Sequence, residues 1–307
     1  MPAFYSHFAF GIKGYQSLDD RELKTVIKKH STVYTIGLLG PDLFFYFLPD
    51  VFLGRKKPAI VMHEYKTNLF FENLLRISDG FFGEEREIAY AYIAGFMGHY
   101  AMDSVCHPYI YERAAQHEHP RNWHYTYESE MDIFCCRHFL HRYPAHIKQH
   151  RLLHLSREEM RAVCRLAATA YNRTYHLPYL TPLTIKGAIG CMHITIAFLN
   201  DKKGRKTSFA KKLEIRLLGH GLLSHFFVNF NMYKVYDRDI IQFLRLFGKG
   251  QSRFGTYLSG LAEYRSACHH GEEIGETGQV DLQRQRLLSL LGDLSYHTGL
   301  PCEKSYR

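Results

Sequence analysis

One stretch of the chain contains five side chains whose types and spacing could bind metal ions. His99 and Asp103 lie four residues apart, and His124 and Glu128 repeat that spacing. Each pair would therefore share one face of a helix. His107 adds a third imidazole between the two pairs. Because imidazole and carboxylate groups are the ligands of zinc and related divalent ions, the pattern indicates metal-dependent chemistry.

Three more candidates precede this stretch, and none of the eight is a cysteine. Taken alone, an aspartate or histidine of this kind is more often a surface or capping residue. A helical bundle can nevertheless bring ligands from several helices together in its core, so the ordered set carries more information than its members. The added candidates are His7, Asp42 and His63.

The ordered set resembles the zinc-dependent phospholipase C family, which shares its helical fold with the S1/P1-type nucleases. The resemblance covers about residues 1–130 by motif and extends to about residue 200 by helical pattern. It implies an all-α fold, a multi-helix phospholipase C/P1 nuclease-like bundle, to which the helical pattern of the later residues adds a C-terminal helical extension. The motifs that carry it are Gly98-His99-x3-Asp103, His107-Pro108 and His124-x3-Glu128, preceded in order by His7, Gly40-Pro41-Asp42 and His63.

Carried over residue by residue, the resemblance implies three metal positions. The first zinc ion would be bound by Asp42, His63, His99 and Asp103. The second would be bound by His107, His124 and Glu128. The third would be bound by the N-terminal amine, His7 and a shared Asp103.

The N-terminal amine would belong to Pro2 if the initiator Met1 is removed, as a small second residue usually allows. Pro2 lies five residues before His7, the separation found in the S1/P1-type enzymes. The alternative is an unprocessed terminus and a site with two ions. Zinc is the expected metal, and nitrogen and oxygen ligands also admit iron or manganese.

The chemistry implied by this set is hydrolysis of a phosphodiester. Two close divalent ions lower the pKa of a water molecule and hold the phosphate oxygens. The family pattern assigns Asp42 a second role, as acceptor of the proton from the attacking water. Glu64 and Glu130 are candidates for orienting the histidine ligands, with surface charge as the alternative.

Two positions differ from the secreted phospholipases of this family. The step from Asp103 to His107 is two residues shorter here, and Leu43 follows Asp42 where enzymes that bind choline lipids have a tyrosine. Aromatic surface for a headgroup could instead come from Phe44, Phe45 and Tyr46.

The rest of the chain must position these side chains, and its pattern is helical almost throughout. Segments that resemble capping boxes begin at Ser17 and Ser156, and an apolar run over Glu84–Val105 predicts a buried central helix. Residues 113–122 and 271–278 are expected to be loops. Further helices are predicted over 33–39, 61–77, 123–143, 184–199, 209–228, 238–247, 256–269 and 281–294.

A basic break near residue 200 predicts two parts, a metallohydrolase domain over 1–200 and a helical extension over 207–307, packed on it or separate. The net charge of +9 is consistent with a soluble surface or with attraction to phosphate, nucleic acid or anionic lipid. A solvated linker or a phosphate-contacting surface would account for the basic cluster Lys202, Lys203, Arg205, Lys206, Lys211 and Lys212.

Seven cysteines without a CxxC pair favour a reducing compartment. The sequence has no recognisable signal peptide or membrane-spanning run, so a cytoplasmic protein with peripheral membrane contact is expected. The expected activity is that of a zinc-dependent, phospholipase C-like phosphodiesterase acting on a phosphoester such as that of a phospholipid. The alternatives are a single-strand nuclease or nucleotidase of the same fold, and a non-catalytic, metal-stabilised protein that binds membranes or nucleic acid.

Overall fold

In a computed structural model of the chain, the described residues are 4–47, 58–199, 201, 205–218, 237–274 and 278–302. Within them the regular elements are helical, apart from an isolated β-bridge between Leu294 and Pro301, which confirms the predicted all-α class. Two short 3₁₀ helices cover Gly40–Tyr46 and Pro144–His146. The α-helices are α1 (Phe4–Ser17), α2 (Arg21–Lys29), α3 (Ser31–Leu38), α4 (Pro58–Glu64), α5 (Thr67–Asp79), α6 (Gly83–Ala115), α7 (Pro120–Phe139), α8 (Gln149–Leu152), α9 (Arg157–Tyr175), α10 (Pro182–Leu199), α11 (Arg205–Leu218), α12 (Asp237–Ile274) and α13 (Gly278–Leu291).

The helix starts follow the local capping chemistry. Ser156 and Glu159 form the predicted capping box at the start of α9. At α2 the capping residue is Asp20, whose side chain accepts a hydrogen bond from the Leu23 amide, while Ser17 instead ends α1.

Other helix boundaries differ from the prediction. The helix predicted over 61–77 is two helices, α4 and α5, because Lys66 adopts a left-handed backbone conformation with φ 57°. The helices predicted over 238–247 and 256–269 are one, α12, whose apolar face stays buried through Phe247 and Phe254. Packing of that face compensates for the glycines between them.

The central helix, α6, has 33 residues and is longer at both ends than the predicted segment. It contacts α1, α2, α3, α5, α7, α9 and α12, so its middle is buried on every side. Polar side chains in the middle of α6 are therefore enclosed by the surrounding helices. They include His99, Asp103 and His107, which are all buried.

Two glycines let α3 and α6 cross with their backbones in contact. A Cβ at Gly95 would lie 2.1 Å from the Tyr34 carbonyl oxygen, and one at Gly37 would lie 2.4 Å from that of Tyr92. The close crossing places the Leu38 carbonyl oxygen 3.2 Å from His99 Nδ1.

The C-terminal helices share the core of the N-terminal ones. Phe254 of α12 fills space that Gly14 of α1 and Gly98 of α6 leave open, because a Cβ would lie 2.3 Å from its ring at Gly14 and 2.9 Å at Gly98. Leu287 of α13 is also fully buried in this core. A domain boundary near residue 200 stays a prediction.

We predict that Gly95→Ala lowers the free energy of unfolding by about 1–3 kcal/mol, because the added methyl group meets backbone atoms that cannot rotate away. The matched control is Gly248→Ala in α12, where a Cβ meets nothing within 4 Å. The control should gain up to about 1 kcal/mol from helix propensity. Urea unfolding measures both changes, and equal stabilities for the two variants would contradict the crossing geometry.

Candidate metal centre

Eight polar side chains from five elements converge beside the middle of α6. All are buried except His124, which is partly exposed. The sequence had placed them in one site, and Pro2, the ninth predicted ligand, lies outside the described residues. We call the eight the Asp103 cluster: His7 from α1, Asp42 from the 3₁₀ helix, His63 from α4, His99, Asp103 and His107 from α6, and His124 and Glu128 from α7.

Asp103 is the hub of this cluster. Its Oδ1 lies 3.2 Å from His7 Nε2. Its Oδ2 lies 3.0 Å from His99 Nε2 and 3.4 Å from His107 Nδ1. The same oxygen lies 3.5 Å from His63 Nε2. One buried carboxylate therefore faces four imidazoles.

The potential ligand atoms form three groups, each with its atoms within 4.8 Å of one another. Two groups have His99 in common, whereas the sequence-based assignment gave it to one metal position. His107 belongs to the third group despite the shortened step from Asp103. The groups are His7–His99–Asp103, Asp42–His63–His99 and His107–His124–Glu128.

Backbone carbonyls orient two of the imidazoles. His63 Nδ1 donates to the Ala59 carbonyl oxygen at 2.6 Å, and His99 Nδ1 is 3.2 Å from that of Leu38. Because a carbonyl can only accept, each Nδ1 carries a proton, so in the neutral imidazole each Nε2 presents a lone pair towards the carboxylates. These carbonyls take the orienting role predicted for Glu64, whose carboxylate lies 4.0 Å from His297. Glu130, the other predicted orienting residue, is buried, so it is not a surface charge.

The arrangement fits a bound cation. His99 Nε2, Asp103 Oδ2 and His107 Nδ1 are buried without a hydrogen-bond partner. Buried polar atoms in this condition are costly, and lone pairs facing carboxylate oxygens repel each other unless a proton or metal ion lies between them. The donor set of imidazoles and carboxylates is the one that zinc prefers.

Burial and neighbouring charges shift the pKa values of the side chains in the cluster. Burial lowers the pKa of His63, but Asp103 and Asp42 outweigh it and raise the pKa to about 10. The pKa values of His7 and His107 are also raised, since nearby carboxylates overcome the effect of burial. For His99, burial dominates and lowers the pKa. Burial opposes ionisation of Glu128, yet His124 and His107 hold the pKa of its carboxyl well below the ordinary value.

Asp132 fixes the start of α1, although the sequence did not single it out. Its carboxylate accepts hydrogen bonds from the Tyr5 amide at 3.2 Å and the Ser6 amide at 2.8 Å, and also from the Ser6 hydroxyl. These amides are among the first in the helix and have no partner within it. His7 follows directly, so Asp132 positions that imidazole. Its spacing of four residues from Glu128 was the available signal.

The C-terminal loop after α13 supplies contacts that no sequence motif suggested. Ser295 Oγ and Tyr296 N both donate to the His63 carbonyl oxygen, at 3.0 Å and 2.8 Å. The next residue, His297, stacks on the His63 ring with centroids 4.9 Å apart. Burial and neighbouring imidazoles lower the pKa of His297 to about 3, so it is neutral near pH 7.

The cluster is more accessible at its His124 end. Tyr111 is 40% exposed, and its ring lies 4.5 Å from that of His124. Phe45 lies 6.0 Å from the His63 ring. Phe44, which the sequence had suggested as aromatic surface, is instead fully buried against Tyr171.

We predict that adding zinc to metal-free protein at pH 7 releases protons. His63, with a pKa of about 10, is protonated there, and an imidazole must be neutral to bind a metal. The apparent affinity should therefore rise with pH towards that value. Calorimetry in buffers of different ionisation enthalpy counts the protons.

The variant His63→Gln should release fewer protons, whereas His30→Gln, which alters a histidine paired with Glu159 outside the cluster, should leave the count unchanged. Zinc binding with no proton release would contradict the raised pKa.

Comparison with known proteins identifies one family. A family model described as zinc-dependent phospholipase C matches residues 6–177, which is more than half of the chain. The matched range contains all eight members of the Asp103 cluster. No curated protein and no solved structure gives a significant match.

Proposed function

Because the chain belongs to the zinc-dependent phospholipase C family, we propose that it is a metal-dependent phosphoester hydrolase whose substrate is the phosphodiester of a phospholipid. The observation that carries this proposal is the proximity of three groups of potential metal ligands, one of which contains buried Asp103 while the other two each place a histidine beside it. A structural metal site needs only one such group, whereas three neighbouring groups with one accessible end are suited to binding and cleaving a substrate.

We assign two or three zinc ions to the cluster, with iron or manganese as other possible occupants. When bound, zinc acts as a Lewis acid that makes water a stronger nucleophile and neutralises charge on a phosphate. The residues that would hold the ions are Asp42, His63, His99 and Asp103 for one, His107, His124 and Glu128 for another, and the Pro2 amine, His7 and Asp103 for the third.

The chain's own side chains have separate tasks in this scheme. Asp42 would accept the proton of the attacking water as well as bind metal. The carbonyls of Ala59 and Leu38 keep His63 and His99 in the tautomer that ligation requires. Tyr111 and His297, whose rings are 5.2 Å apart, border the cluster where a substrate would enter.

Two other functions compete with this proposal. A nuclease or nucleotidase of the same fold would use the same ions on a nucleic-acid phosphodiester. A non-catalytic protein would keep the metals for stability and bind membranes or nucleic acid through its basic surface.

The position after Asp42 is Leu43, which is buried, so a choline headgroup would need other contacts.

We predict that Asp103→Asn loses bound metal and hydrolyses phosphodiesters at least about a hundredfold more slowly, because removing one partner of a buried charged set costs about 3–5 kcal/mol. Elemental analysis and turnover of a soluble phosphodiester measure the two effects. The matched control is Glu87→Gln, a carboxylate paired with Lys29 and His30 outside the cluster. It should retain both metal and activity.

The variant His124→Gln provides a second test that is less prone to misfolding than Asp103→Asn, since His124 is the most accessible member of the cluster. It should fold as the wild type does, as judged by circular dichroism, and still lose activity. Faster turnover of single-stranded nucleic acid than of phospholipid would favour the nuclease. Bound metal with no turnover of any phosphodiester would overturn the enzyme assignment.

A further inference from the structure

Helix α10 is apolar on two opposite faces, and only one of them is buried. The inner face packs on α9 and on the 3₁₀ helix that carries Asp42. Among the described residues, α10 is the single helix long and apolar enough to cross a membrane, and 28% of it is buried. The buried residues are Ile185, Ala188, Ile189, Met192 and Ile196.

The outer face forms a stripe of large apolar side chains. Leu183, Ile194 and Phe198 fall on one side of the helix by their spacing, and Ile194 is 73% exposed and Phe198 63% exposed. We call these three residues the outer stripe. Ile194 and Phe198 are one helical turn apart, so their exposed side chains adjoin, and adjoining apolar surface marks a site that another molecule covers.

Basic residues follow the outer stripe in the sequence, and one of them contacts it. Helices α10 and α11 together contain six lysines and arginines and a single acidic residue, Glu214. Lys206 links the two helices, because it donates to the Phe198 carbonyl oxygen at 2.7 Å and lies over the Phe198 ring. Lys212 and Arg216 are exposed on α11, as is the aromatic ring of Phe209.

We propose that the outer stripe and the basic residues of α11 form a docking surface for an anionic lipid bilayer. Exposed Leu, Ile and Phe side chains flanked by Lys and Arg are the composition of helices that lie in a membrane interface. Charge complementarity selects anionic lipid, and the choice of lipid over protein also rests on the proposed function.

Docking would leave α10 lying on the membrane rather than spanning it. Its inner face is part of the protein core and cannot enter lipid without unpacking the 3₁₀ helix. Since α10 packs on the helix that carries Asp42, docking brings that segment to within about one helix diameter, roughly 10 Å, of the bilayer.

Sedimentation of the full chain with vesicles tests this proposal without requiring turnover. We expect binding to vesicles of phosphatidylcholine mixed with phosphatidylserine, weaker binding to phosphatidylcholine alone, and loss of the difference at high salt. Phe198→Ser and Ile194→Ser should each weaken binding about tenfold, since each removes a side chain that would be buried in lipid. Lys212→Ser should weaken it about fivefold on anionic vesicles only.

Matched controls are Phe82→Ser and Ile241→Ser, which remove exposed apolar side chains from the residue that precedes α6 and from α12. Both should bind as the wild type does. Equal binding by stripe and control variants would overturn the docking surface, as would a wild-type dimer that Ile194→Ser converts to monomer, because a second copy would then cover the stripe.

Different results would overturn the enzyme assignment and the docking surface. Turnover of a soluble phosphodiester should be unchanged in Phe198→Ser. A chain that binds anionic vesicles but hydrolyses nothing overturns the enzyme assignment alone. A chain that hydrolyses the soluble substrate but does not sediment with vesicles overturns the docking surface alone.

Discussion

Asp103 is buried among four imidazoles, and the packing of the surrounding helices has to keep it there. A carboxylate in a protein interior is tolerated only when opposite charge and hydrogen-bond donors surround it. Here the imidazoles come from three different helices, so these helices must pack precisely for the imidazoles to reach the same carboxylate. The packing around α6 provides that precision, through close helix crossings and large aromatic side chains rather than through surface ion pairs.

The site is supported from positions distant in sequence. Pro108 has no amide hydrogen, so the Ser104 carbonyl loses its usual helical partner. The backbone of Gly299 lies against that carbonyl, where a Cβ would be 2.4 Å from the oxygen, with φ 64°. This contact anchors the loop whose Ser295 and Tyr296 hold the His63 carbonyl. The His107-Pro108 motif thus contributes an imidazole to the cluster and also a surface on which the C-terminal loop packs.

Sequence reasoning recovered the all-α class and brought together the eight described members of the cluster. It paired His99 with Asp103 from helical periodicity, which is local, whereas it joined His7, Asp42 and His63 to them through the family resemblance. It missed Asp132 and His297, whose positions depend on how α1 and the C-terminal loop pack. The break at Lys66 and the continuity of α12 were also missed, since a left-handed residue and a glycine-containing buried helix are both consequences of tertiary contacts.

The contact between the C-terminal loop and His63 also has a consequence for biosynthesis. A ribosome makes His63 long before it makes Ser295, 232 residues later, so the His63 carbonyl can accept this hydrogen bond only after the segment that contains Ser295 has been synthesised. The backbone contact that holds His63 in place is therefore added late in biosynthesis, by a segment that is distant in sequence from the other members of the Asp103 cluster.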